Sequence, residues 1–390
     1  MSKVTPQNIP SPNVNNFVTK DTQVSSQIKY LIFVEAVLGI NRIYLLEVSK
    51  LKSFICKFYS VLIVGLNIYF TFNSAKTGTT HFVVKNLLIV EYVVLVVLVL
   101  TTGKMKLTKF FENLHDLDVM LNIQKYLNIT SSSIRNLISV TICTFYCFCE
   151  YYLEINIFYD GIYNLSHIYM FIESLTHDVE QIYFFTLLRY TYLRLLIVKS
   201  HIIKVFNLDD KPSNNFKEIE ALSEKVNLDV NSLHRIYDLL HTCSCELNAV
   251  MGLPMLVIFF SSGISTIMLL KLFVNIFQMS SDHKTNSTIA YLVLRCLKHT
   301  LLLVVPCYYS SVTNTQASII RTTLHDAVNT MRLDKSNRRK VKTFFQLTRE
   351  SDFGYALCGV IKLDMTLPLS YLSLCTTYLV IIIQFSKFID

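Results

Sequence analysis

The chain has 390 residues, of which 52% are hydrophobic and only 16% charged, with a mean hydropathy of +0.42; a soluble domain carries about 25% charged residues. Glycine (9) and proline (7) are scarce, which argues against a loop-rich β protein and for long helices. The formal charge of +8 is distributed in the way membrane topology demands, so it argues against nucleic acid as a partner.

The polar N-terminus, residues 1–27, has no apolar core of the signal-peptide type and is expected to be a disordered cytoplasmic tail. Leu31–Ile40 is apolar but only ten residues long, lies between Lys29 and Arg42, and contains Glu35. That is too short to span, so a membrane-surface or re-entrant helix is expected. Seven later stretches reach the roughly 20 apolar residues a spanning helix needs: 54–73, 82–102, 135–158, 166–188 (the helix continuing towards 198), 246–277, 288–313 and 363–386.

The connections alternate. Those at 74–81, 159–165 and 278–287 are barely long enough to turn round, whereas 103–134, 199–245 and 314–362 are long. Charge follows length: segments 1–53, 103–135, 199–245 and 314–362 hold 26 of the 36 Lys and Arg. The other side has Lys76, Lys85, Lys284 and Lys387. Because basic loops stay in the cytoplasm, the sequence predicts an all-α integral membrane protein of seven transmembrane helices. Its N-terminus is inside and its C-terminus outside, the reverse of a G-protein-coupled receptor. The organisation is a cytoplasmic tail with a short helix (1–53), helices 1–4 (54–198), a cytoplasmic helical segment (199–245), helices 5–6 (246–313), a second cytoplasmic helical segment (314–362) and helix 7 (363–390). Within the inner loops, Leu222, Val226, Leu233, Ile236 and Leu240 recur at helical spacing, which predicts a packed bundle below the membrane rather than a solvated linker. No internal repeat is visible, which disfavours a transporter built from duplicated halves.

The ten cysteines avoid the segments placed outside, so no disulfide framework is expected. His241-Thr-Cys243-Ser-Cys245 lacks the usual two-residue spacer and an obvious fourth ligand, so no metal site is expected. Sequons at Asn164 and Asn286 fall outside and one at Asn128 inside. There is no GxSxG, HExxH or phosphate-binding glycine loop, so neither catalysis nor a cofactor is expected.

Ionisable residues within hydrocarbon are costly and mark cavities or interhelical contacts. Glu91, Glu150, Glu154, Glu173, Lys271 and Arg295 all lie about 6–13 Å below the outer helix ends at 1.5 Å per residue. Glu150 and Glu154 share a face of helix 3, while Glu173, His177, Glu180 and Gln181 form a stripe along helix 4. Tyr151, Tyr152, Tyr169, Phe171, Phe273 and Tyr291 lie at similar depth. Aromatic walls with convergent polar groups predict a small-ligand cavity. The competing reading is that Arg295, Lys298 and Lys271 simply tie helices together through these carboxylates. The acidic excess, with aromatics around it, suits a protonated amine.

Helix 7 carries Thr377-Tyr378-Leu379-Val380-Ile381-Ile382-Ile383-Gln384-Phe385, which matches the TYhhhhhQF signature of the insect gustatory receptor family. Upstream, Phe353-Gly-Tyr-Ala-Leu-Cys358-Gly359 and Leu363-Asp364 resemble that family's stretch before its last helix. The resemblance implies a ligand-gated, non-selective cation channel, tetrameric as homomer or heteromer, in the plasma membrane of sensory neurons. The last helix would line the pore, with Gln384 and Phe385 at the outer gate and Tyr378 and Thr377 beside them. A ring of phenylalanines closes a pore by dewetting, and glutamine rotated into its place would wet it. The ligand pocket, a tastant site, would then take in Glu150, Tyr151, Glu154, Tyr169, Glu173, His177, Phe273, Tyr291 and Arg295. The sugar-sensing clade has Glu where this chain has Leu379, so bitter plant compounds, alkaloids among them, are the expected ligands. An olfactory receptor of the same superfamily is disfavoured by the intact TYhhhhhQF. Arg338-Arg339-Lys340 and Lys342 fit topology or lipid contact.

Overall fold

The computed structural model describes residues 23–46, 49–73, 79–123, 129–158, 165–206, 228–278 and 284–389. Residues 1–22 of the expected N-terminal tail, the Leu222 and Val226 positions and the Asn128 and Asn164 sequons fall outside these residues, whereas 23–27, expected in that tail, open a helix. Among the described residues there are ten α-helices: α1 (Gln23–Val37), α2 (Lys50–Asn73), α3 (Thr79–Leu98), α4 (Lys104–Met120), α5 (Ile129–Phe158), α6 (Leu165–Val205), α7 (Val230–Gln278), α8 (Lys284–Thr330), α9 (Lys335–Glu350) and α10 (Thr366–Ile389). Two short antiparallel strands, β1 (Ala356–Leu357) and β2 (Ile361–Lys362), precede α10.

Each of the seven apolar stretches lies in a helix, so the transmembrane helices are α2, α3, α5, α6, α7, α8 and α10. By length and composition alone, Lys50–Phe70, Val230–Val274 and Ser287–Thr330 suffice to cross a membrane. Residues Lys85–Thr101 and Lys104–Met120 pass the same test only when taken together, as a pair bent by 67°, with a π-helical turn at Val99–Gly103 between them. The outward faces are apolar: Phe54, Phe58, Val61 and Tyr69 on α2, Ile138, Phe145 and Phe148 on α5, and Leu369 and Leu372 on α10 are all exposed. Such a surface suits hydrocarbon and not water. Hydroxyls inside these helices are satisfied locally, since Thr144, Thr176, Thr266, Thr313 and Thr376 each donate to the carbonyl four residues earlier. Pro254 and Pro306 sit inside α7 and α8.

The centre of the bundle is α6, packed against α1, α2, α3, α5, α7 and α8. Its polar positions are buried, including Glu173, His177, Asp178, Glu180, Gln181 and Arg194, which is why it reads as less apolar than a typical span. Helix α1 packs against α5, α4 and α6; Ile28, Leu31, Ile32 and Glu35 are fully buried while Tyr30, Phe33 and Val37 face outward. The helix thus packs one face on the bundle and turns the other outward. The chain reverses after it at Gly39, whose φ is +87°. A Cβ there would lie 2.5 Å from the Tyr92 hydroxyl, which donates to the Leu38 carbonyl.

A second hydrophobic core lies at the basic end. Leu117, Leu195, Ile202, Leu233, Ile236, Tyr237, Leu240, Ile320, Leu324, Phe344 and Phe353 come together there from α4, α6, α7, α8, α9 and the segment before β1. Leu233, Ile236 and Leu240 are buried together in this core, on one helix. Capping fixes their starts: Asp334 accepts from the Asn337 N–H at α9, and Asp229 accepts from the Ser232 N–H at α7.

Candidate functional site

Helices α3, α5, α6 and α8 bring together a narrow cleft of about 20 Å³, lined by Lys85, Glu150, Tyr151, Glu154, Phe171 and Arg295 among others. Tyr151 and Phe171 pack with ring centroids 5.2 Å apart. Five residues singled out from the sequence, Glu150, Tyr151, Glu154, Phe171 and Arg295, therefore meet in one place.

The charges here are already engaged with one another. Lys298 Nζ lies 2.5 Å from Glu150 Oε2 and 3.1 Å from Asp178 Oδ2. Arg295 Nε lies 3.3 Å from Glu150 Oε1, and its Nη1 3.9 Å from Glu154. The Arg295 guanidinium also donates to the Tyr291 hydroxyl and to Ser265 Oγ. Interhelical pairing, the competing reading, accounts for Glu150 in full: two cations from α8 oppose it. Lys271, placed in the belt by its depth, is exposed, and Lys85 takes part instead. The cleft walls thus carry two anions and two cations, and the acidic excess read from depth alone is reduced to Glu173. That carboxylate is buried, neither oxygen accepts a hydrogen bond, and Lys85 is the cation whose field it senses.

The remaining predicted residues are dispersed around the cleft. Tyr169 stacks on Phe70 at 5.0 Å. Phe273 packs with Tyr291, Leu269 and Leu292 in a small outer cluster. His177 lies deeper: its Nδ1 is 2.7 Å from Glu91 Oε1, and its Nε2 is 3.0 Å from both Gln181 Nε2 and Ser262 Oγ. With Nδ1–H donating to Glu91, Nε2 accepts from the amide and the hydroxyl. Cys143, Cys147 and Asp178 could offer metal ligands within 4.8 Å of one another. However, the Cys147 thiol already donates to Asp178 at 2.7 Å, and the Lys298 ammonium beside them opposes a further cation.

The sequence reading missed one buried centre. Arg42, read as the flank of a surface run, is fully buried and binds both oxygens of Glu180 at 2.8 and 3.0 Å. It lies 2.8 Å from Glu35, with its guanidinium 4.4 Å above the Tyr183 ring. The available signal was Glu35 itself: a carboxylate in an apolar run needs a cation, and Arg42 is seven residues away.

At the last helix, Tyr371 donates to Thr266 Oγ1 at 2.5 Å and to the Ser262 carbonyl at 3.2 Å, tying α10 to α7. Leu369, Leu372, Ser373, Thr376, Thr377 and Val380 line an open groove on the opposite side. Tyr378 and Gln384 are exposed, and the side chain of Phe385 lies outside those described. Before α10, Phe353 packs edge-on against Tyr237 at 5.3 Å. Cys358 and Gly359 turn the hairpin at φ +49° and +71°, and Asp364 accepts from the Thr366 N–H. The motif residues upstream of the last helix thus dock a hairpin on α7 and start α10.

This architecture, a helical membrane bundle with a polar cleft inside it and a second core at its basic end, defines a multi-pass membrane protein. The family model described as 7tm Chemosensory receptor matches residues 40–389, and the chain belongs to that family. Two solved structures of the insect olfactory receptor OR5 from Machilis hrabei are similar in fold. One, in complex with eugenol, has a TM-score of 0.62 at 11% identity, covering 93% of this chain and 100% of that one. The other has a TM-score of 0.65 at 12% identity, covering 93% and 98%. No curated protein matches the chain in sequence.

Proposed function

We propose that this receptor is a gustatory-type, ligand-gated, non-selective cation channel of the plasma membrane of sensory neurons, tuned to bitter plant compounds. The observation that carries this reading is the complete TYhhhhhQF run, Thr377–Phe385, on a helix whose open groove of Leu372, Thr376 and Val380 is lined by no other helix among the described residues. Four copies around an axis would cover that face and make it a pore wall, with Gln384 and Phe385 near its outer mouth. Permeant cations and membrane lipid are the remaining partners, and a related receptor could replace some of the four copies.

The small-molecule ligand binds in the cleft of Tyr151, Phe171, Glu154 and Arg295. A protonated amine is recognised through Glu173, a buried carboxylate beside the cleft-lining Ser174 with no hydrogen-bonded partner at either oxygen; Glu150, held by Lys298 and Arg295, serves the fold. Orientation follows the charge asymmetry, with the basic core inside and the C-terminus outside. An olfactory-type receptor is the second reading, favoured by the fold similarity to OR5.

Whole-cell recordings in cells expressing the chain test this. Alkaloids are expected to evoke cation current, Glu173→Gln to abolish it while sparing neutral ligands, and Phe385→Ala to make the channel leak without ligand. Alkaloid responses equal in Glu173→Gln and the native chain would remove the amine assignment. Surface-expressed receptor silent to every compound and closed in Phe385→Ala would remove the pore assignment.

A further inference from the structure

A second cavity lies deeper than the cleft, between α6, α7, α8 and α10, with a volume of about 170 Å³, room for a small apolar molecule. Its walls are mostly apolar, with Leu256 and Leu303 facing Tyr371. Into it faces His299, which is buried and has no hydrogen-bond partner at Nδ1 or Nε2. Its ring lies edge-on to His177 at 5.7 Å. A buried imidazole left unsatisfied on both sides forfeits its hydration without replacement, which a native structure ordinarily avoids.

The neighbours do not supply the missing partner. Ser262 is spent on His177 Nε2, and the Tyr371 hydroxyl on Thr266 and the Ser262 carbonyl. Phe260, at the cavity's side, is exposed on the lipid-facing surface of α7. A neutral imidazole presents one donor and one acceptor, and a single hydroxyl complements either. The apolar walls set the rest of the occupant, and the position of Phe260 sets its route, through the hydrocarbon layer.

We infer that this cavity is a binding site, distinct from the outer cleft, for a small neutral apolar molecule with one hydroxyl group, which bonds His299 and reaches the site from the bilayer beside Phe260. Its occupant would lie against Tyr371 and so against the contact that ties α10 to α7. The inference concerns binding and does not need the channel reading: a receptor that binds the alcohol and passes no current would retain this site and lose the pore.

The experiment uses full-length receptor in lipid nanodiscs, a photoreactive diazirine derivative of menthol, and two competitors, menthol and menthane, which differ only by the hydroxyl. Adducts are expected on Phe259, Phe260 or Tyr371, with menthol competing at about tenfold lower concentration than menthane, the worth of one hydrogen bond in an apolar site. His299→Leu should erase that difference while menthane competes as before. Leu256→Trp, or Leu303→Trp if the first elutes abnormally, should abolish the adducts by filling the space. Adducts confined to Tyr151 and Phe171 in the native receptor would overturn the inference, as would a menthol preference that survives His299→Leu.

Discussion

Arg42 is a single cation shared by two buried carboxylates, Glu35 and Glu180, with a ring face beneath it. Its removal would leave both anions uncompensated, and breaking a buried pair costs about 3–5 kcal/mol. Arg42→Met is therefore expected to lower the thermal midpoint of the solubilised receptor steeply. Adding Glu180→Gln should recover part of the loss, measured by scanning fluorimetry on the same preparations. A different buried group sets a pH response. His201 lies at the basic end of α6, and burial, aided by Lys204, lowers its pKa from 6.5 to about 4. The unfolded chain then takes up a proton as pH falls below about 6.5 while the folded chain does not, so stability is lost between pH 6.5 and 4. Thermal midpoints at pH 7 and pH 5 should differ less in His201→Gln than in the native receptor.

At the scale of elements, the hairpin β1–β2 depends on Phe353, buried between the rings of Tyr237 and His241. Phe353→Ala should cost about 3–5 kcal/mol and undock the hairpin, so that limited proteolysis cuts near Cys358 in the variant and spares the native chain. The helices themselves were readable, because apolar length and the basic loops leave few alternatives. Depth was readable too: Glu150, Glu154 and Arg295 do share a layer. The direction in which each side chain leaves its helix was not. Lys271 has the right depth and points outward, while Lys85 joins the cleft from α3. Arg42 and Glu180 are 138 residues apart, and no local period links them. His299 escaped notice for the same reason, since an unsatisfied nitrogen becomes visible only once every neighbour is placed.

For the molecule as a whole, the two cores divide the labour between the membrane and the basic end. If the basic end is cytoplasmic, an epitope added after Asp390 should be stained on intact cells and one before Met1 only after permeabilisation; the opposite pattern would reverse the topology. Four helices, α4, α6, α7 and α8, reach both cores. Helix α6 is an unbroken run of 41 residues, about 62 Å at 1.5 Å per residue, roughly twice the hydrocarbon thickness. It carries Glu173 and Glu180 in one core and Arg194, bound to Asp118 at 2.7 and 2.8 Å, near the other. Each residue turns a helix by about 100°, so deleting a single amino acid between Glu180 and Arg194 would swing everything below it to another side of the rod. Descendants of this gene are then free to exchange letters along α6 but not to change its length, and insertions or deletions should accumulate in the connecting loops instead.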